Sequence, residues 1–581
     1  MLGGVIVKHY SELPKWARDH ELPQTMEEIK PFTTYAVPFD CNQFKGVEAV
    51  VLTMHVQINW IGILLGLGFN FCLHMDGKYK LHHGDWMLIT FGTHSIHLAK
   101  KDKRIHHTFR PLVYVWTKQQ ESTDVIWLGL VCCNMIAQRF YQKSFSPSVG
   151  VADHGPGIAG GWAKMWPGRK LLGCYPHISW HMSHGKLLPK SHPLFDEASE
   201  AIRVMHLAET EGMWRVLVQA LARKWGDDDE DINKMWNSIF VAPYDNWYLG
   251  YDTSTPLTYP SNQVEENWHN HGVMQALSRE LGASTERLLQ VSLPKILRLD
   301  AAKKADKLTF SIQREWLPTA MYHKAAKNLT DPFKYVKVVD NPDIADGVGA
   351  RWYYVLSQSQ TKYSSITGTL IAQYEGLRKG FRPVHTAGKY ERCVEIMQAL
   401  HKVEECVDGD PRVVPNPTNP CNLMCNICKA FAMLGTCSHV LTVTDLIMQS
   451  RPEEERRIEC DVQKMLMLVD PNNKSLAGAS KQSMANSGGK RLNKKVVLEL
   501  GKYNSRKSQA DTARKKKIAD EKKAQKAAQK ERAAVAKKLI VKKKKGKPAA
   551  KSKKPASQKK AKPKVPVFDS SEEDSSDEDD H

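Results

Sequence analysis

Two carboxylates stand where apolar, strand-like runs give out. Asp76 closes GFNFCLHMD ahead of Gly77, and Asp153 closes SVGVAD ahead of HGPG. In an open sheet, a polar residue at the carboxyl end of a strand often faces a site. If the two strands are neighbours, two like charges lie close together, which is costly without a cation between them. Magnesium takes oxygen ligands and is often held by one or two carboxylates plus phosphates. Two such ions about 4 Å apart can clamp the attacking and leaving oxygens of phosphodiester chemistry. A third carboxylate would complete the site, and SNQVEENWHNHGVMQAL offers Glu265 and Glu266 on a helix that could pack back on the sheet. Taken singly, an Asp after a strand is usually a turn residue and a Glu pair is usually a solvated helix face. Only the joint pattern points to a metal.

Softer ligands occur at two further places. Cys174 and His177 bracket Tyr-Pro, with His181 and His184 following at helical spacing. Thiolate and imidazole at short spacing suit zinc, and such a metal would pin a strand end to the segment after it. The second place is CNLMCNICKAFAMLGTCSHVLTV. Cys425-x-x-Cys428 and Cys437-x-His439 form two pairs of soft ligands, the pattern of a tetrahedral zinc site.

The elements that must position these groups can be read from periodicity and turn signals. Residues 1–60 carry scattered prolines and read as an N-terminal arm. The apolar stretch VEAVVLTMHVQINWIGILLGLGFNF, broken by His55, Gln57 and Asn59, reads as a buried helix or strand pair rather than a membrane span. Residues 68–99 read as two strands joined at Gly84–Asp85, and FRPLVYVW as a third. TDVIWLGLVCCNMIAQRFYQ reads as a helix with Thr123 as its cap. SPSVGVADH is a short buried strand, GPGIAGGWAKMW a turn and helix, and KLLGCYPHISWHM another strand. The order β-β-β-α-β-α-β predicts an α/β fold: a mixed sheet with helices on its faces. Residues 190–250 read as an all-helical insertion and 262–300 as helical again. Residues 301–410 read as a mixed linker region and 411–450 as a small zinc-binding module.

The chain has 581 residues, 42% of them apolar, and a net charge of +20. The charge is unevenly placed. Residues 490–567 hold about 30 Lys and Arg against about 5 acids, and the last stretch, DSSEEDSSDEDDH, returns about −8. Residues 1–489 are then nearly neutral, so the basic balance belongs to the tail. The region 475–581 is too polar to offset its ordering entropy and is expected to be disordered. Its Lys run would be drawn to phosphate backbones without sequence preference, and it reads as a nuclear-import patch for an import receptor. No secretory signal opens the chain, so a reducing, nuclear location and metal-bound rather than disulfide-bonded cysteines are expected.

Several of these runs resemble one family. MDGKYKLHHGDWMLITFGT is similar to the first block of the Mutator-like element (MULE) transposase domain, where Asp-Gly at a strand end opens an RNase H-like core. LVYVWTKQQES resembles its third strand and the polar-Glu-Ser step beyond. VGVADHGPGIAGGWAKMWPGRKLLGCYPHISWHM resembles the second catalytic block with its C-x-x-H pair, and SNQVEENWHNH the block of the third acid. The match covers roughly residues 60–300, in order. It implies Asp76, Asp153 and Glu266 as a DDE triad using Mg²⁺ or Mn²⁺. Glu266 is favoured over Glu265 by the register of E-x-W-H. It also implies DNA partners (transposon ends and target), a homo-oligomer, and no membrane. Residues 421–443 resemble a SWIM zinc finger, with one departure: the first pair is C-x-x-C, so Cys421 could take a ligand's place. Two further departures are Lys78 where the family usually has Thr, and the lack of the family's N-terminal zinc module. They leave open a domesticated copy that binds DNA without catalysis.

Overall fold

The computed structural model describes residues 10–469, apart from 79–85, 99–104, 119–120, 154, 227, 275–283, 303–308, 341–350, 359–361, 382–388, 427 and 457–459. The expected turn at Gly84–Asp85 and the tail 475–581 lie outside the described residues.

Sequence alternation explains the main sheet. Its seven strands are β1 (Thr34–Ala36), β2 (Ala49–Met54), β3 (Cys72–Lys78), β4 (Met87–Leu98), β5 (Ile105–Thr117), β6 (Val149–Ala152) and β7 (Leu171–Gly173). Their order is β1-β2-β5-β4-β3-β6-β7. The first five pair antiparallel, while β6 and β7 run parallel to β3. Successive side chains on a strand point to opposite faces. Met87, Ile89 and Phe91 therefore join one apolar layer, and Leu88 joins the other.

Helices cover both faces. On the first lie α2 (His55–Leu65), α3 (Thr123–Tyr141) and α4 (Pro156–Met165). In α3, Val125, Ile126, Leu128, Cys132, Cys133 and Ile136 are buried at helical spacing, each full-sized aliphatic contributing about 1.5–3 kcal/mol. The cap is Ser122, one residue before the expected Thr123; its hydroxyl accepts from Val125 N at 3.4 Å. Helix α4 starts at Pro156, which suits a first helical position. Gly157 has no room for a side chain, because a Cβ there would overlap the Glu121 carbonyl. The close approach of α4 therefore fixes the backbone at Glu121. The second face is covered by α1 (Leu13–Asp19) and by apolar side chains from Trp268 and from Leu288 to Leu297.

Several boundaries differ from the sequence expectation. A break at residue 60 would cut α2, and the supposed arm supplies β1 and β2 to the sheet. The strand expected over KLLGCYPHISWHM ends at Gly173; Pro176 enters the first turn of α5 (Tyr175–Ser183). Helices α6 (Phe195–Met205), α7 (Glu211–Trp225) and α8 (Glu230–Ile239) follow within the expected all-helical insertion. Residues 301–410 are not a linker. They contribute β8 (Val336–Asp340), β9 (Arg351–Leu356) and β10 (Leu400–Glu405), which pair antiparallel with β11 (Leu423–Cys425) in a second sheet of order β11-β10-β9-β8. The Cys/His module of 411–450 is built onto this sheet through β11. Among the described residues, no helix is long and apolar enough to cross a membrane.

Candidate metal centre

Strand register places the first two acids. β3 and β6 pair in parallel up to Met75↔Ala152, so Asp76 and Asp153 are the next residues on adjacent strands. Neighbouring strands lie about 4.8 Å apart, and residues in register share a face. The third acid arrives from α9 (Gln263–Asn267), which runs on into a π-helical turn, Trp268–Val273. Such turns recur at functional sites.

Around these acids lies a cleft of about 780 Å³, lined among others by Asp76, Glu121, Asp153, His177, Glu266 and His269. Asp153 Oδ1 lies 2.7 Å from His177 Nδ1, and Glu266 Oε1 lies 3.5 Å from the same nitrogen. Ligand atoms of Asp153, Cys174, His177 and Glu266 all fall within 4.8 Å of one another. Asp76 Oδ1 accepts from Gly77 N at 2.8 Å, and its Oδ2 lies 3.1 Å from His269 Nδ1. His269 Nε2 is 3.0 Å from Thr90 Oγ1, and Thr90 in turn donates to Glu265 Oε1. Thr90 stands opposite Asp76 in the β3–β4 register.

Electrostatics separate the two glutamates. Glu265 is fully buried, and burial, then the charge of Asp76, pushes its carboxyl well above the usual range. It is a neutral hydrogen-bonding group behind the cleft. Glu266 is about one-third exposed and lines the cleft. Its carboxyl is raised by partial burial first; His177 lowers it, and Asp153 and Asp76 raise it. Crowded acids of this kind favour a cation. The closeness of Asp153 and then Cys174 pushes the His177 imidazole up to about 11. Asp76 lines the same cleft but is not among the four residues whose ligand atoms converge.

Cys174 and His177 belong to a group of four that could hold a metal, and His181 lines the same cleft. Their partners are Asp153 and Glu266. His184 turns away, with Nδ1 2.9 Å from the Trp180 carbonyl oxygen. Burial keeps Cys174 a thiol, and its sulfur accepts from Asn262 N at 3.2 Å.

Sequence reasoning missed Glu121, Thr90 and His269. Glu121 reaches the cleft from the residue before the α3 cap, and a Cβ at Gly77 would collide with its carboxylate. The signal for Thr90 was cross-strand pairing with Asp76; for His269 it was i+4 spacing from Glu265 on one helical face.

At the second sheet, Cys425, Cys428, Cys437 and His439 converge into a group that could hold zinc. His439 Nδ1 lies 3.6 Å from both Cys425 Sγ and Cys437 Sγ. Cys428 and Cys437 cap the helices Lys429–Leu434 and Ser438–Gln449, accepting from Phe431 N and Val440 N at 3.4 Å. These donors favour thiolate, and bonds from Cys425 and Cys437 hold Cys428 well below the ordinary thiol range. Cys421 is outside the four-residue set. No protein-family model matches the chain, and no curated protein matches it significantly.

Proposed function

We propose that the chain is a MULE-type DDE transposase, cutting and transferring DNA strands with an RNase H-like domain that carries Asp76, Asp153 and Glu266. The observation that supports this most is the register: Asp76 and Asp153 are neighbours on adjacent parallel strands, and Glu266, from a helix far along the chain, has a carboxylate oxygen within 4.8 Å of one from Asp153. The sheet order, three antiparallel strands followed by β6 and β7 parallel to β3, agrees with such a core.

Mg²⁺ or Mn²⁺ held by these acids would polarise the scissile phosphate and lower the pKa of water or of a DNA 3′-hydroxyl. The chain's own groups set the stage for that. His269 and Gly77 N fix the Asp76 carboxylate. Lys78 and Lys186, both lining the cleft, offer cations to the DNA backbone. The Cys425–His439 module, read as a SWIM-like finger, and the basic tail would add DNA contacts in a nuclear protein.

A second reading has its own support. The charged His177 already stands between Asp153 and Glu266, as it would in a domesticated DNA-binding protein that has given up catalysis. Nicking of supercoiled plasmid in Mn²⁺ separates the two. The transposase reading expects nicking by the wild type and none by Asp153→Ala. Equal nicking, or none by either, removes it.

A further inference from the structure

Below the carboxylate cleft, on the same sheet face, three buried side chains remain that phosphodiester chemistry does not use. Cys72 and His74 are two apart on β3 and so face one way. His94 on β4 lies two residues beyond Gly92, the partner of His74, and so stands opposite Cys72. Cys72 Sγ is 3.4 Å from His74 Nε2 and 3.6 Å from His94 Nδ1, and the two nitrogens are 3.1 Å apart. A tetrahedral zinc with bonds of about 2.0–2.1 Å to nitrogen and 2.3 Å to sulfur has ligand–ligand edges of about 3.3–3.6 Å. The three atoms thus already form nearly one face of that tetrahedron.

The surroundings hold the ring nitrogens in ligand form. Asn262 Nδ2 donates to the Met75 carbonyl at 3.1 Å, which turns Oδ1 toward His74 Nδ1, 3.2 Å away. His74 therefore donates from Nδ1, and its Nε2 lone pair faces Cys72 and His94. An outer hydrogen bond that sets the tautomer is usual for metal-bound histidine. All three side chains are less than 5% exposed. Burial keeps both imidazoles neutral, as metal binding requires. The converging donors are these three; Asp252, on the segment beyond, is not among them.

We propose that Cys72, His74 and His94 hold a zinc ion, distinct from both the carboxylate cleft and the Cys425–His439 cluster. Its work is positional. It would tie β3 to β4 and, through Asn262 bonded to His74, hold the start of the helix bearing Glu265 and Glu266. The inference does not depend on the transposase reading, because metal content is measured without activity.

The test counts zinc per chain by mass spectrometry, after gel filtration in excess Mg²⁺, in the full chain carrying Cys174→Ser, which removes the soft thiolate from the cleft. Two ions are expected. Cys72→Ser added to this background should leave one, and Cys428→Ser added instead should also leave one. A single ion that Cys428→Ser abolishes overturns the proposal, and so does an unchanged count in a folded Cys72→Ser chain. Should Cys72→Ser fail to fold, the parent count and its response to Cys428→Ser decide alone.

Discussion

Glutamine substitutions at Glu265 and Glu266 separate a buried acid from a metal ligand. Glu265 is fully buried, raised far above its ordinary range, and bonded to Thr90. Burial favours its neutral form, which glutamine resembles in shape and in most hydrogen bonding. The expected cost is about 0.5–1.5 kcal/mol of stability, the net worth of one hydrogen bond. Activity should stay within about tenfold, the equivalent of 1.4 kcal/mol. Glu266 lies within 4.8 Å of Asp153, Cys174 and His177 ligand atoms. Glu266→Gln removes a charge aimed at the reacting centre, and such losses cost about 10²–10³ in rate, or roughly 2.7–4 kcal/mol. In the absence of added metal, the Glu266 carboxyl is raised, by burial first and against the pull of His177, so a neutral glutamine should melt no lower than the wild type. The assay is Mn²⁺-dependent plasmid nicking, with thermal melting run beside it. A Glu265→Gln chain less active than Glu266→Gln would refute the assignment.

Other outcomes follow from neighbouring geometry. Gly77→Ala would drive a Cβ into the Glu121 carboxylate and the Met87 methyl, both ends of flexible side chains that can give way; urea titration should find a loss at or below the low end of the about 1–3 kcal/mol for overpacking, with reduced nicking as Glu121 is displaced. Cys428→Ser removes both a zinc donor and the cap of Lys429–Leu434, so its melting temperature should fall, and a zinc chelator should lower the wild type to match. Asp445, buried against Val462 N, is raised from 3.8 to about 7 by desolvation. The folded state then binds a proton that the unfolded state releases. Stability from this group is complete below pH 4 and falls by about 1.4 kcal/mol per pH unit, on the order of 4 kcal/mol in all, as pH rises to 7. Asp445→Asn should abolish that slope in urea titrations at pH 5 and 7.5.

The core of the fold was legible because β3 to β7 alternate or run apolar between clear turn signals. Asp76 and Asp153 were legible for the same reason: each is the first charge after a buried run. Elements failed where one apolar run served two structures. AVVLTM passes into HVQINWIGILL without a polar break, and periodicity over so short a run does not separate strand from helix. The partners of Cys174 and His177 were not legible from spacing: Pro176 starts a helix whose His177 meets Asp153, 24 positions earlier. Strands β8 to β10 were missed because each is only five or six residues long and β9 meets β10 only across the long stretch from Leu356 to Leu400. The Cys72–His74–His94 group was invisible for a similar reason. Cys72 and His94 are cross-strand neighbours, and sequence spacing carries no ligand signature for a pair made by register.

Crystals soaked in Mn²⁺ and measured for anomalous scattering test the central claim most directly. The account predicts two peaks about 4 Å apart among Asp76, Asp153 and Glu266, with His177 displaced from Asp153. No peak in the cleft, with His177 still 2.7 Å from Asp153 as in the metal-free chain, would contradict it.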